Sequence, residues 1–198
     1  MCGLILLDAG PHGILESSRY TNLCARVGGR GPHSHGWALL DGNWRWHTHY
    51  GSGPLVDLPE GEWRMALGHS RLATSGASAG TLPDPKHGQP IHLANRLVAH
   101  NGTLKHLASS GFPSDSHHAA NLLDDHDPRD VFNCPDNSSQ AVIIVGRALG
   151  DITTYRGGDH GGHPLFHTVE AGVRIIASIR PNHESDLVPT GMTQWTMI

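Results

Sequence analysis

Short apolar segments alternate with polar segments along most of the chain. Segments of this length that are rich in β-branched or aromatic side chains are typical of β-strands. They predict strands at residues 4–7, 37–40, 44–50, 65–67, 91–93, 97–99, 141–145 and 173–176. Turn-forming residues separate two pairs of these segments, at Asp41-Gly42-Asn43 and at Ala94-Asn95. The pattern therefore predicts hairpins and antiparallel sheets.

A helical pattern, with polar residues on one side, is found at residues 14–27, just after Thr103 and at residues 116–125. Asp115 or Ser116 stands where the N-cap of the last helix is expected. Residues 74–90 are rich in glycine and proline and poor in apolar residues, which predicts a loop within a domain. A long loop of this kind is often a lid over a site.

Length and composition favour one domain, which we place at residues 2–198. A chain of 198 residues buries roughly 70% of its unfolded surface and needs no disulfides. The net charge of −4 and the lack of any lysine or arginine run argue against nucleic acid or an acidic membrane as partner. The three cysteines lie far apart in the sequence, which predicts reduced thiols rather than disulfides. The sequence shows neither a signal peptide nor a membrane-spanning segment, which predicts a cytoplasmic location.

One cysteine has an unusual position, because Cys2 directly follows the initiator methionine and precedes a predicted strand. Several motifs follow it in order: "RGPHSHGWAL", "GHSRLAT", "AHNG", "SDS", "GGHPLF" and "IIAS". Together with "MCG" they resemble the class II glutamine amidotransferase domain, a member of the N-terminal nucleophile hydrolases. The resemblance covers nearly the whole chain, and the ordered set is far more specific than any single motif.

The resemblance implies an α+β fold, a four-layer αββα sandwich with antiparallel sheets. It also implies that Met1 is removed and that Cys2 becomes the nucleophile. Asn101 and Gly102 would form the oxyanion hole, the former through its side-chain amide and the latter through its backbone N–H. Substrate binding falls to Arg71 for the α-carboxylate of glutamine, Asp115 for its α-ammonium, and also to Thr74 and His100. Neither a metal nor an organic cofactor is implied.

The chemistry agrees with these assignments. A free thiol has a pKa of about 8.5, so it needs a base to become a thiolate at neutral pH. An α-amine, with a pKa of about 7.7–8.0, can act as that base. Cys2 alone would then supply nucleophile and base. The implied reaction converts glutamine to glutamate and ammonia through a γ-glutamyl thioester. Because little chain follows the last motif, we expect a separate synthetase subunit to accept the ammonia.

Two alternatives remain open at this stage. The enzyme could cleave another γ-glutamyl amide, or the 17 histidines could mark a non-catalytic metal-binding protein. The His-x-His pairs, such as His33/His35 and His47/His49, have no cysteines beside them, which disfavours zinc. We expect the remaining histidines at the surface, and Cys24 and Cys134 to be structural or incidental.

Overall fold

The computed structural model describes residues 1–72, 88–107, 111–132, 140–147, 151–157 and 163–196. This part of the chain contains twelve strands and three α-helices. The strands are β1 (Gly3–Asp8), β2 (Ser34–Asp41), β3 (Trp46–Ser52), β4 (Trp63–Arg71), β5 (Ile91–His92), β6 (Arg96–Asn101), β7 (Gln140–Gly146), β8 (Ile152–Gly157), β9 (Phe166–Glu170), β10 (Val173–Ala177), β11 (Asp186–Leu187) and β12 (Gly191–Trp195). The helices are α1 (Ser17–Gly28), α2 (Asp115–Leu122) and α3 (Pro128–Phe132).

The strands form two antiparallel sheets. The first has seven strands in the order β11-β9-β10-β1-β4-β2-β3, and the second has five in the order β12-β8-β7-β6-β5. The two predicted hairpins, β2–β3 and β5–β6, are confirmed. Strand β1 lies inside the first sheet between β10 and β4, so both of its edges are hydrogen-bonded.

The two sheets pack face to face through the side chains of alternate residues. Leu4 and Leu6 of β1 are fully buried in one cluster with Leu97 and Ala99 of β6. Ile5, which points to the opposite face, packs instead in the cluster that contains α1. This alternation follows from the two-residue period of a strand. It explains why β1 is apolar throughout rather than alternating between apolar and polar residues.

Helices cover the outer faces of both sheets. Helix α1 packs Tyr20, Leu23 and Val27 against the first sheet. Helices α2 and α3 pack against the second sheet, for example Ala120 and Phe132. The layer order is compatible with an αββα sandwich, and the fold is α+β as the sequence predicted. No helix in the described ranges combines the length and the apolar character needed to span a bilayer.

A buried ion pair closes the space between the sheets at the end of β1 that is distant from Cys2. Asp8 is fully buried, and its Oδ2 lies 3.3 Å from Nη1 of Arg174 on β10. The Arg174 guanidinium also lies 5.6 Å from the ring centroid of Trp195, which belongs to the second sheet. The ion pair therefore touches both sheets.

Several predicted details differ from the structure. The N-cap of α2 is Ser114, whose extended backbone lets its hydroxyl accept from the N–H of His117, so the assignment to Asp115 or Ser116 was wrong. Helix α1 begins at Ser17 because Leu15 forms a β-bridge with Trp63. The sequence pattern did not indicate β8, β9, β11 and β12, which are short or carry many polar residues. Residues 74–87 of the predicted loop lie outside the described residues.

Candidate functional site

Three strands bring the predicted residues together at one end of the sandwich. Cys2 immediately precedes β1, Arg71 ends β4, and Asn101 ends β6 of the other sheet. Gly3 pairs with Ser70 across the first sheet, which places Cys2 beside Arg71. The backbone N–H of Cys2 donates to Oδ1 of Asn101 at 3.2 Å. This hydrogen bond joins the two sheets at the candidate nucleophile.

The Cys2 thiol is partly exposed, and its Sγ lies 3.9 Å from the carbonyl oxygen of Leu72. Burial raises the pKa of this thiol above its ordinary value. The contact with Leu72 and the nearby positive charges of the chain terminus, Arg71 and Arg30 oppose that rise. With Met1 still attached, the thiol is therefore mainly protonated at neutral pH.

Asn101 presents a donor that no described residue uses. Because its Oδ1 accepts from a backbone N–H, the amide orientation is settled, and Nδ2 points away from that bond. Nδ2 is buried and has no hydrogen-bond partner within the described part of the chain. A buried donor without a partner costs about 1–3 kcal/mol. The Nδ2 group is thus prepared to bind an oxygen atom supplied by a ligand.

Gly102 continues the same turn. A Cβ at this position would lie 2.0 Å from Oε1 of Gln140, so no larger residue fits. The absence of a side chain leaves the backbone N–H of Gly102 next to the Asn101 amide. A pair of donors at Asn101 and Gly102 would be of the kind that stabilises an oxyanion, and this role stays a prediction.

His100 lies behind this turn, on the face of the second sheet that packs against α2. Its Nδ1 is 2.8 Å from the hydroxyl of Ser116, and its Nε2 contacts Oε1 of Gln140. Burial lowers the pKa of His100, and burial lowers that of His69 to about 3. Both histidines are buried and neutral. The expectation of a surface position was therefore wrong for His69, whereas His100 was predicted as a binding residue.

Asp115 connects α2 to the same turn. Its Oδ2 accepts from the N–H of Leu104 at 2.7 Å, and its Oδ1 accepts from the N–H of Ser116 at 2.8 Å. A carboxylate has about four acceptor positions, so these bonds leave capacity for a ligand cation. Thr74, the remaining predicted binding residue, lies outside the described residues, as does Cys134.

Arg30 is a component of the site that the sequence analysis missed. Its Nε donates to the carbonyl oxygen of Cys2 at 3.1 Å, and its partial burial lowers its pKa. The available signal was an arginine between glycines at the start of the quoted motif "RGPHSHGWAL". That signal was weak because an arginine beside glycines is ordinary in a surface turn.

Metal-ligand clusters are absent from the described residues, where no three His, Cys, Asp or Glu side chains could hold one ion. Beside Cys2, the Asn101 donor and the positive charges of Arg71 and Arg30 suit an anionic or carbonyl oxygen, while Asp115 keeps acceptor capacity for a cation. The arrangement is therefore suited to acyl chemistry at a thiol.

Comparisons with known proteins show a similarity at the level of the fold. No protein-family model matches the sequence, and a search of curated proteins finds no match. Among solved structures, a glutamine aminotransferase class-II domain protein from Silicibacter pomeroyi is similar over 100% of both chains, with 9% identity and a TM-score of 0.59. A predicted glutamine amidotransferase from Pseudomonas aeruginosa is similar over 98% of this chain and 96% of its own, with 12% identity and a TM-score of 0.51. The chain has the fold of these two solved structures, one named as a glutamine aminotransferase class-II domain protein and the other as a predicted glutamine amidotransferase.

Proposed function

We propose that residues 2–198 form one glutaminase domain of the N-terminal nucleophile type, which hydrolyses glutamine to glutamate and ammonia. One observation carries the proposal. The main-chain nitrogen of Cys2 lies 3.2 Å from Oδ1 of Asn101, whose buried Nδ2 has no partner within the described residues. A thiol, a nitrogen that can become an amine and an unused oxyanion donor are therefore adjacent.

The proposed reaction begins after an aminopeptidase removes Met1. The α-amine of Cys2 takes the thiol proton, directly or through a water, and Sγ attacks the side-chain carbonyl carbon of glutamine. Asn101 Nδ2 and the Gly102 N–H stabilise the tetrahedral oxyanion. The intermediate collapses as the α-ammonium returns the proton to the leaving nitrogen, which releases ammonia. Water then attacks the thioester, with the same amine as base, and glutamate leaves.

Removal of Met1 also changes the electrostatics of the thiol. In the longer chain a neutral amide adjoins Cys2, whereas in the mature chain an α-ammonium lies on the same residue. A positive charge this close stabilises the thiolate and lowers the thiol pKa. Arg30 holds the Cys2 carbonyl. It thereby helps to fix the backbone from which both the amine and the thiol project.

Recognition of glutamine uses two opposite charges. Arg71 would bind the α-carboxylate through its planar guanidinium, and Asp115 would bind the α-ammonium. Asp115 already accepts from the N–H of Leu104, so substrate binding and the oxyanion turn share one carboxylate. Thr74 stays a predicted binding residue. His100 would assist binding by supporting the turn, since both of its ring nitrogens are engaged.

An ammonia acceptor completes the proposal. The two structural neighbours are named for transfer of an amino or amide nitrogen. We propose that ammonia passes to a separate synthetase subunit, because free ammonia is mostly protonated and non-nucleophilic at neutral pH. A cytoplasmic location would keep the Cys2 thiol reduced.

Substitution at Cys2 tests the nucleophile. Cys2→Ala and Cys2→Ser should abolish glutamate production, since the thiolate forms the covalent bond. Intact mass should show loss of Met1, and a diazoketone analogue of glutamine should label Cys2 at one equivalent per chain. Cys24→Ala, at a buried cysteine, is the matched control and should keep full activity. Activity in Cys2→Ala, or labelling at Cys24 or Cys134, would contradict the assignment.

The pH dependence of alkylation tests the maturation step. Burial raises the Cys2 thiol pKa in the Met1-bearing chain, so its iodoacetamide rate should keep rising above pH 9. In the mature chain the α-ammonium favours the thiolate, and the midpoint should lie about one pH unit lower. Burial raises the pKa of Cys24 to about 12, so Cys24 does not interfere in this range. Coincident profiles for the two forms would argue against the α-amine as partner of the thiol.

Steady-state kinetics separate the oxyanion donor from the binding residues. Asn101→Ala should lower kcat by about 10²–10³-fold with little change in KM, because the donor acts on the transition state. Arg71→Lys should raise KM by about tenfold, because a point charge cannot reproduce the bidentate contact. Asn95→Ala, at an exposed asparagine at the other end of the same hairpin, is the matched control. Unchanged turnover in folded Asn101→Ala would remove Asn101 from the site.

Purification from the native source tests the acceptor. A synthetase should copurify with the chain and should raise its glutaminase rate by about tenfold, because the partner would favour the competent state. Rates are compared before and after the partner is stripped away. A monomer that retains the full rate and copurifies with no other protein would rule out the separate subunit.

A further inference from the structure

Gln140 is a fully buried polar residue that the mechanism above does not use. It begins β7, directly beside the turn that carries the oxyanion donors. Asn101 pairs with Ala141, so Gln140 lies just past the last paired residue of β6. A buried side-chain amide is normally hydrogen-bonded, and its partners reveal what it supports.

The Gln140 amide contacts the chain on both sides of the Asn101-Gly102 dipeptide. Its Nε2 donates to the carbonyl oxygen of Thr103 at 3.0 Å. Its Oε1 contacts Nε2 of His100. One side chain therefore bridges the residue before the two oxyanion donors and the residue after them.

The direction of these hydrogen bonds is determined by chemistry. A backbone carbonyl only accepts, so the nitrogen of the Gln140 amide must face Thr103 and the oxygen must face His100. Nε2 of His100 then carries the hydrogen, and Nδ1 accepts from the Ser116 hydroxyl at 2.8 Å. Burial lowers the pKa of His100, which agrees with a neutral ring. The bonds form one directed chain from Ser116 to Thr103.

Steric contact reinforces the hydrogen bonds. Oε1 of Gln140 occupies the space that a side chain at Gly102 would need, 2.0 Å from the position of its Cβ. The turn is held from further directions as well, since Gln89 Oε1 accepts from the His100 N–H at 2.7 Å and Asp115 Oδ2 accepts from the Leu104 N–H. Of Gln89, Asp115 and Gln140, Gln140 is the residue whose side chain contacts both His100 and Thr103 and also packs against Gly102.

We infer that Gln140 is a positioning residue of the oxyanion hole, which orients Asn101 Nδ2 and the Gly102 N–H toward the substrate oxygen. The inference rests on the proposed glutaminase function. Donors stabilise an oxyanion only when they are already aimed at it within a few tenths of an ångström. Loss of the bridge should therefore reduce transition-state stabilisation and leave ground-state binding of glutamine, at Arg71 and Asp115, largely unchanged.

The test compares Gln140→Met, which keeps the length of the side chain without its hydrogen bonds, with Thr154→Val. Thr154 is a buried, hydrogen-bonded residue of the same sheet, bonded to Trp195 rather than to the turn. Gln140→Met should lower kcat by 10- to 100-fold with KM within about twofold. Thr154→Val should leave kcat within twofold at a similar loss of thermal stability. Equal kcat values in the two variants would overturn the inference.

A double-mutant cycle distinguishes positioning from general structural damage. If Gln140 acts through the oxyanion donors, Gln140→Met should cost less than about threefold in kcat when Asn101→Ala is already present. A cost that stays the same in both backgrounds would overturn the inference. If Gln140→Met does not fold, Ser116→Ala serves instead, because it removes the hydrogen bond from Ser116 to His100. Ser116→Ala should lower kcat by less than the factor expected for Gln140→Met, and only in chains that retain Asn101.

Amide hydrogen exchange separates this inference from the proposed function. Exchange at His100 and Leu104, whose N–H groups are bonded to Gln89 and Asp115, should accelerate about tenfold or more in Gln140→Met and stay unchanged in Thr154→Val. This readout does not need catalysis. If the wild-type chain releases no glutamate, the proposed function fails, whereas unchanged exchange at His100 and Leu104 would overturn the role of Gln140 alone.

Discussion

The hydrogen bond between the Cys2 N–H and Oδ1 of Asn101 is the contact on which the candidate site depends. It joins the first residues of one sheet to the last residue of a strand in the other. Without the face-to-face packing of Leu4 and Leu6 against Leu97 and Ala99, these two residues would not meet. The same bond settles the orientation of the Asn101 amide and so leaves Nδ2 available. The packing that joins the two sheets is therefore also what leaves the buried Nδ2 group of Asn101 without a protein partner among the described residues.

The turn after β6 combines two requirements that normally conflict. It must present unpaired donors to a ligand, and it must also be rigid although it leaves the sheet. The structure meets both by placing the stabilising bonds on the far side of the turn, where His100, Gln140 and Asp115 lie. The ligand-facing side keeps its open Nδ2 group. Buried polar networks are stable only when their members are satisfied, and this one satisfies every side of the turn except the one offered to a ligand.

Part of this could be predicted from the sequence. The apolar strand β1, both hairpins and the α+β class follow from local patterns, because periodicity and turn residues are encoded within a few positions. The ordered motifs also indicated Cys2, Arg71, Asn101, Gly102 and Asp115 as one set. By contrast, Arg30 and Gln140 contact residues that are distant from them in sequence, and no local pattern records such contacts. The burial of His69 escaped prediction for a related reason, since a histidine is polar by type and becomes a core residue only through its surroundings.

The ion pair between Asp8 and Arg174 has a consequence for the opposite end of β1. Asp8 is the sixth residue of β1 after Cys2, so at a rise of about 3.3 Å per residue the two lie roughly 20 Å apart. A strand that is hydrogen-bonded on both edges and tethered by buried charges at its far end cannot slide along its own axis. Any slip would leave an unpaired charge in the core. The buried charges at one end of β1 thus act together with the hydrogen bonds along both edges to fix the position of a thiol that they never approach.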